Sequence, residues 1–306
     1  MSLGLLFPGQ GSQHPDMLPW LLHATPPCGS MGLLESKLGK GWQARLADTS
    51  WSTRNDVAQL ALTGICLAAW EQVRALLPVP VVVAGYSVGE IAAFSVAGVF
   101  SASTAMRIAE DRARIMNTCI GDNETGLLAV SDAGTVLIDR LHRVHHLDLA
   151  IRLSADRCIV GGLRVDIAAA TQELAGQGIA CTQLDVAIAS HTRWLDQAVK
   201  PLELLLTSLE FDPPQVALVC NIDGASRRDP DELRSALAGQ VSQTVHWDRC
   251  METVKERRVR CILEVGPGTT LSRLWNSRHP ALPARSLDEF KTPQQAAEWA
   301  RRTLAQ

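Results

Sequence analysis

Val79-Pro80-Val81-Val82-Val83-Ala84-Gly85-Tyr86-Ser87-Val88-Gly89-Glu90-Ile91-Ala92-Ala93-Phe94 decides the reading of this chain. The β-branched run predicts a buried strand. Apolar residues at Val88, Ile91, Ala92, Val96 and Val99 predict a helix after it, and Ser87 stands at the sharp turn between them. Glycines at 85 and 89 leave out side chains that would collide where strand and helix cross, so the turn lifts the Ser87 hydroxyl above the end of a sheet. G-x-S-x-G alone marks many ordinary tight turns. With a strand before it and a helix after it, the pattern points to a nucleophilic serine and covalent acyl chemistry.

Working outward, residues 3–7 read as a short buried strand that runs into Pro8-Gly9-Gln10-Gly11-Ser12-Gln13, a loop able to bring backbone N–H groups close to a ligand. After a loosely patterned stretch to about Ser52, residues 56–77 carry a helical apolar face. Residues 101–117 predict a further helix with Ser101 or Ser103 as N-cap. From 121 to about 190 the units shorten to strand 126–130, helix 135–144, strand 149–154, strand 158–161, helix 165–176 and strand 180–186. That βαββαβ order predicts a self-contained ferredoxin-like sheet with two helices on one side. The chain then returns to helix 193–209, strand 216–221, helices 230–239 and 247–256, and strand 261–265, which ends in Gly266-Pro267-Gly268. Alternating helices and apolar strands predict an α/β fold, a mostly parallel sheet with helices on both faces and its site at the strand C-termini. The expected division is a discontinuous α/β-hydrolase-like catalytic domain, 1–122 and 191–306, with an inserted ferredoxin-like subdomain at 123–190.

Composition narrows the function. A net charge of -3 with 20% charged residues supplies no basic field for nucleic acid. The opening residues lack the basic start of a signal peptide and no apolar run reaches membrane-spanning length, so a cytoplasmic protein without membrane contact is expected. Eight cysteines, at 28, 66, 119, 158, 181, 220, 250 and 261, form no C-x-x-C pair and no zinc-type cluster, and read as reduced packing thiols. No metal site is expected. Among eight histidines, His191 is the candidate base, because it ends the last subdomain strand where the chain re-enters the larger unit. A buried, hydrogen-bonded imidazole is the competing reading for it. His142, His145 and His146 sit at a polar helix end and read as solvated.

Four separated segments, Phe7 to Gln13, Gly85 to Glu90, Arg112-Ala113-Arg114-Ile115-Met116 and Ser190-His191, followed by Gln240 and Gly266-Pro267-Gly268, together resemble the malonyl-CoA:acyl-carrier-protein transacylases. The resemblance runs in order over nearly the whole chain. Within that family the short chain and the Tyr86 elbow are most similar to the malonyl transferase (epsilon) subunit of malonate decarboxylase. The resemblance implies that Ser87 is the nucleophile and His191 its general base and then acid. It also implies that the backbone N–H groups of Gln10 and Val88 form the oxyanion hole. Backbone carbonyls near Gln240 would orient the imidazole in place of a triad carboxylate, and Arg112 would pair with the free carboxylate of a malonyl group. Taken alone, Arg112 reads more readily as a helix-surface arginine, since Arg107 and Arg114 flank it.

The implied reaction is a ping-pong transfer from malonyl-CoA (coenzyme A) through a Ser87 ester to the phosphopantetheine-type thiol of an acyl carrier protein, with no permanently bound cofactor. As a decarboxylase subunit the chain would meet other malonate decarboxylase subunits; the alternative is a stand-alone fatty-acid-synthesis transacylase. Readings of other classes are a serine thioesterase or esterase and a non-catalytic carrier-binding subunit. The chain departs from the family pattern in three places: Tyr86 replaces the usual histidine before the nucleophile, Ser154-Ala155-Asp156 stands where an asparagine turn is common, and Ser190 precedes His191 where many malonyl-selective domains carry Phe.

Overall fold

Strands β1 (Leu3–Phe7), β2 (Val82–Gly85), β7 (Ala217–Val219), β10 (Cys261–Glu264) and β11 (Ala284–Ser286) lie parallel in the computed structural model. β8 (Ser226–Arg227) closes one edge antiparallel to β7, in the order β11-β10-β1-β2-β7-β8. The structure describes residues 2–22 and 29–305. Cys28, read from sequence as a packing thiol, lies outside them. The seven other cysteines are unpaired. No described helix is long and apolar enough to cross a membrane.

Side-chain alternation on β1 explains the layering. Leu3, Leu5 and Phe7 point into one core with the helices Asn55–Val73, Gly89–Val96 and Ala102–Ile120, while Leu6 points into a second core with Trp247 and Trp275. Helices therefore cover both faces of a mostly parallel sheet, as the apolar strand pattern predicts.

The second sheet has the order β6-β3-β5-β4-β9, built from β3 (Thr125–Val130), β4 (Asp148–Arg152), β5 (Cys158–Leu163), β6 (Cys181–Gln183) and β9 (Val245–His246). Its helices Thr135–His145 and Arg164–Gly176 cover Leu128, Val130 and Val160 on one face. The expectation of a self-contained sheet is corrected in two ways. β9 comes from beyond the re-entry and pairs parallel with β4, Ile151 opposite Val245. The other sheet face, with Leu127, Ile151 and Ile159, shares the core that holds Leu6 and Val82. A two-residue strand carries too little pattern to be seen in sequence.

Other differences have similar causes. Residues 29–52 hold three short helices, Gly29–Leu38, Trp42–Arg45 and Thr49–Ser52, where sequence periodicity gives none. Two of them are single turns, too short for a 3.6-residue repeat to register. Strand 180–186 shrinks to β6, and the apolar run from Val186 to Ala189 is an irregular crossing segment. Its alternation reflects burial: Val186, Ile188 and Ala189 are all inside. The Thr125 side chain replaces strand pairing there, donating to Ala187 O at 3.0 Å and accepting the Ala189 N–H at 3.1 Å.

Candidate active site

Four loops leave the C-terminal edge of the larger sheet side by side. They follow β1 (Gly9 and Gln10), β2 (Ser87), β7 (Asn221) and β10 (Gly266), so sheet order alone brings distant motifs together. A Cβ on Gly85 would sit 2.1 Å from Gly89 O, and one on Gly89 would sit 2.3 Å from Phe7 O. Both glycines are thus required by close backbone crossing. A Cβ on Gly266 would meet Pro8 Cγ at 2.7 Å, which packs the Gly266-Pro267-Gly268 turn under the Gln10 loop.

Ser87 has φ 54 and His191 φ 64, both in the left-handed region. For non-glycine residues such backbone costs on the order of 1 kcal/mol or more each and persists only where surrounding contacts hold it. Asn221 supplies much of that hold at the elbow. Its Oδ1 accepts the Ser87 N–H at 2.9 Å and its Nδ2 donates to Gly85 O at 2.6 Å, spanning the turn on both sides. For His191, its own N–H donates to Val241 O at 2.7 Å.

Ser87 Oγ and His191 Nε2 are 2.7 Å apart, and His191 Nδ1 lies 2.6 Å from the backbone oxygen of Gln240. A carbonyl only accepts, so Nδ1 carries the proton and the Nε2 lone pair faces the serine hydroxyl. That is the tautomer a general base needs. Burial lowers the His191 pKa to about 3, the Arg112 charge adds to this, and the Gln240 bond opposes it. The correction to the sequence reading is its position: His191 follows the irregular crossing segment and does not end a strand.

Arg112 is 2% exposed and occupies the apolar stripe of its helix with Ala105, Ala109 and Met116. Arg107 and Arg114 lie on the solvent side, each beside Asp111. The helical spacing that separates them was present in the sequence. Arg112 Nη1 donates to Gln59 Oε1 at 2.6 Å and Nη2 to Gln240 Oε1 at 2.8 Å. Its Nε–H has no partner among the described residues. A guanidinium has five N–H donors, so two amide contacts leave three for a planar anion.

Gln240 connects everything. Its Nε2 donates to Ser87 O and to Glu90 Oε2, both at 2.8 Å, while its backbone oxygen holds His191. Glu90 is fully buried, and Asn221 N–H reaches its Oε1 at 2.7 Å. Burial pushes the Glu90 carboxyl up to about 8, against the Asn221 bond, the Arg112 charge and the Gln240 amide. Sequence reading missed Asn221, Glu90 and Gln59. Gln59 could have been found as a polar residue within the apolar face of its helix, whereas nothing local marks Asn221.

The Gln10 and Val88 N–H groups, named from sequence as oxyanion donors, donate to no backbone acceptor among the described residues. Tyr86 packs edge-on to Trp247 at 5.2 Å, and its ring also abuts Gly9, where a Cβ would come within 2.7 Å. Among the other histidines, His142 pairs with Asp148. The solvated reading is corrected for His145, whose side chain is largely buried and bonded to Glu173 at 2.9 Å.

A strained serine after a parallel strand, with the Nε2 lone pair of a buried imidazole facing its hydroxyl, is the arrangement of serine-nucleophile acyl-transfer enzymes of α/β fold. The family model "Acyl transferase domain" matches residues 5–277. The chain is 32% identical over 297 residues to a malonyl CoA-acyl carrier protein transacylase of Mycobacterium bovis, covering 93% of this chain and 96% of that one. It is 26% identical to the Escherichia coli protein of the same name, covering 93% and 95%. The solved structure of a malonyl CoA-acyl carrier protein transacylase from Coxiella burnetii superposes with a TM-score of 0.90 at 23% identity, covering 99% of this chain and 98% of that one. The protein belongs to the acyl transferase domain family and is an acyltransferase.

Proposed function

We propose that this chain is a stand-alone malonyl-CoA:acyl carrier protein transacylase. The observation that carries the reading is the 2.7 Å contact of Ser87 Oγ with His191 Nε2, joined through Gln240 to a buried arginine with free donors. A serine and histidine alone would serve any acyl group; the arginine selects one that bears a carboxylate.

In this reading His191 Nε2 takes the hydroxyl proton as Ser87 Oγ bonds to the thioester carbonyl carbon. The Gln10 and Val88 N–H groups hold the oxyanion, the C–S bond breaks, and the proton passes to the departing CoA sulfur. The carrier thiol then returns the path: it yields its proton to Nε2, its sulfur takes the malonyl carbon, and Ser87 recovers its proton. Residues 1–122 and 191–306 would form the catalytic unit and 123–190 the insertion beside it, working in the cytoplasm.

A carrier-protein partner is supported by a solved complex of a "type II PKS acyl-carrier protein" with its malonyl-transacylase, which shares this fold at a TM-score of 0.88 and 24% identity. Curated relatives named as malonyl CoA-acyl carrier protein transacylases include proteins from Mycobacterium, Salmonella and Escherichia. They favour the stand-alone reading over a malonate decarboxylase subunit.

The test is intact mass spectrometry after mixing with malonyl-CoA. A malonyl adduct on Ser87, absent from Ser87→Ala and discharged by carrier thiol, supports the reading. Rapid release of free malonate without acceptor would assign a hydrolase, and an adduct surviving Ser87→Ala would remove the nucleophile.

A further inference from the structure

Glu90 is a fully buried acid that the transfer steps leave unused. It lies across the Gln240 amide from Arg112. The guanidinium donates to Oε1 at 2.8 Å and Nε2 donates to the carboxyl at 2.8 Å, so the amide dipole is aligned head to tail between two groups of opposite charge. Other elements also face Glu90. Arg227, on β8, is already matched by Asp223 through contacts of 2.8 and 2.6 Å. Cys220, after β7, and Cys250, on the helix Trp247–Glu256, are thiols kept neutral by burial. His191 is neutral for the same reason. Arg112 is therefore the cation left for Glu90.

We propose that Glu90, when ionised, is the counter-anion of Arg112, and that an acyl carboxylate arriving on Arg112 replaces it by driving a proton from solvent onto Glu90. This rests on the reading of Arg112 as the carboxylate binder. Two carboxylates around one guanidinium in a dry site cannot both stay ionised. The incoming carboxylate meets the guanidinium directly, whereas Glu90 reaches it only through an amide, so Glu90 takes the proton. Binding of a malonyl group is thereby coupled to proton uptake, and binding of an acetyl group, which brings no second anion, is not. Glu90 becomes a specificity-determining residue: where it is ionised it neutralises the arginine until a carboxylate arrives, and it opposes that carboxylate increasingly as pH rises.

The experiment is calorimetric titration of Ser87→Ala enzyme with malonyl-CoA and with acetyl-CoA in buffers of different ionisation enthalpy, the acetyl compound cancelling titration of the CoA phosphates. At about pH 9 malonyl-CoA should take up close to one proton more than acetyl-CoA, and at about pH 6 close to none. Adding Glu90→Gln should abolish the difference and tighten malonyl-CoA about fivefold at the higher pH. Equal uptake for both ligands at about pH 9 overturns the inference even if the Glu90 variant does not fold, and so does uptake that persists in that variant. Arg112→Ala separates the layers. If it leaves the malonyl to acetyl affinity ratio unchanged, the Arg112 reading falls; if the ratio collapses while the Glu90 result fails, only the present inference is lost.

Discussion

The main-chain oxygen of Gln240 accepts the Nδ1–H of His191 at 2.6 Å, while the side chain of the same glutamine reaches Arg112, Glu90 and Ser87 O. A carbonyl fixes the imidazole tautomer as a carboxylate would, but brings no full charge to stabilise an imidazolium. The imidazole is thus neutral throughout the neutral range, the state that the proposed base needs. Such a balance suits the proposed transfer, which runs between thioester and ester in both directions.

Acid stability should show this histidine directly. Its ordinary value is 6.5 and its folded value about 3, so below 6.5 the unfolded chain binds a proton that the folded one refuses. Stability from this group is complete above 6.5 and is lost as pH falls, at about 1.4 kcal/mol per pH unit. Urea midpoints at about pH 7 and about pH 5 should diverge less in His191→Gln than in the parent. An identical divergence would show that His191 is not desolvated as described.

Asn221 is expected to act on rate by holding the elbow. Asn221→Ala strands the Ser87 N–H and Gly85 O, and should lower kcat about a hundredfold with little change in KM. Asn221→Asp keeps an acceptor for Ser87 N–H but offers no donor to Gly85 O, so it should rescue only part of the loss. Steady-state transfer kinetics alongside thermal melts will separate this from a stability effect; equal kcat in all three proteins would deny the clamp.

Glycine substitutions should split by what their Cβ would meet. Gly85→Ala and Gly89→Ala drive a carbon to within 2.1 and 2.3 Å of backbone oxygen, and should cost about 3 kcal/mol or more. Gly176 ends the helix Arg164–Gly176 with open space around it, so Gly176→Ala should gain up to about 1 kcal/mol. Denaturant melts of the three variants test the contrast.

Arg112→Ala should lower kcat/KM for malonyl-CoA about a hundredfold or more and for acetyl-CoA much less, because only the former loses a charge-assisted contact. Arg112→Lys keeps the charge but cannot satisfy Gln59, Gln240 and a carboxylate together, and should recover little. Parallel losses for both thioesters would refute carboxylate selection.

How far the chain could be read without its structure follows from the range of the forces involved. The elbow was legible because its glycines, strand and helix are neighbours in sequence, and their collisions are local. A helix start at Ser101 or Ser103, of which Ser101 accepts the Thr104 N–H at 3.1 Å, and the helices Pro230–Gly239 and Trp247–Glu256 were legible for the same reason. The pairing of His191 with Ser87 was suggested by its place at the re-entry and by family resemblance; 104 residues of chain separate them, and only the contacts that hold His191 on Val241 O and Gln240 O set the 2.7 Å distance. β9, Asn221 and the Glu90–Gln240–Arg112 relay left no local trace, because each is defined by what lies opposite it in space. Sequence by itself thus determined which residues can strain, cap and alternate, since these are short-range sterics and hydrophobic period. Tertiary structure alone decided which polar groups share one dry pocket, since burial and Coulomb forces act between surfaces that the chain joins only when folded.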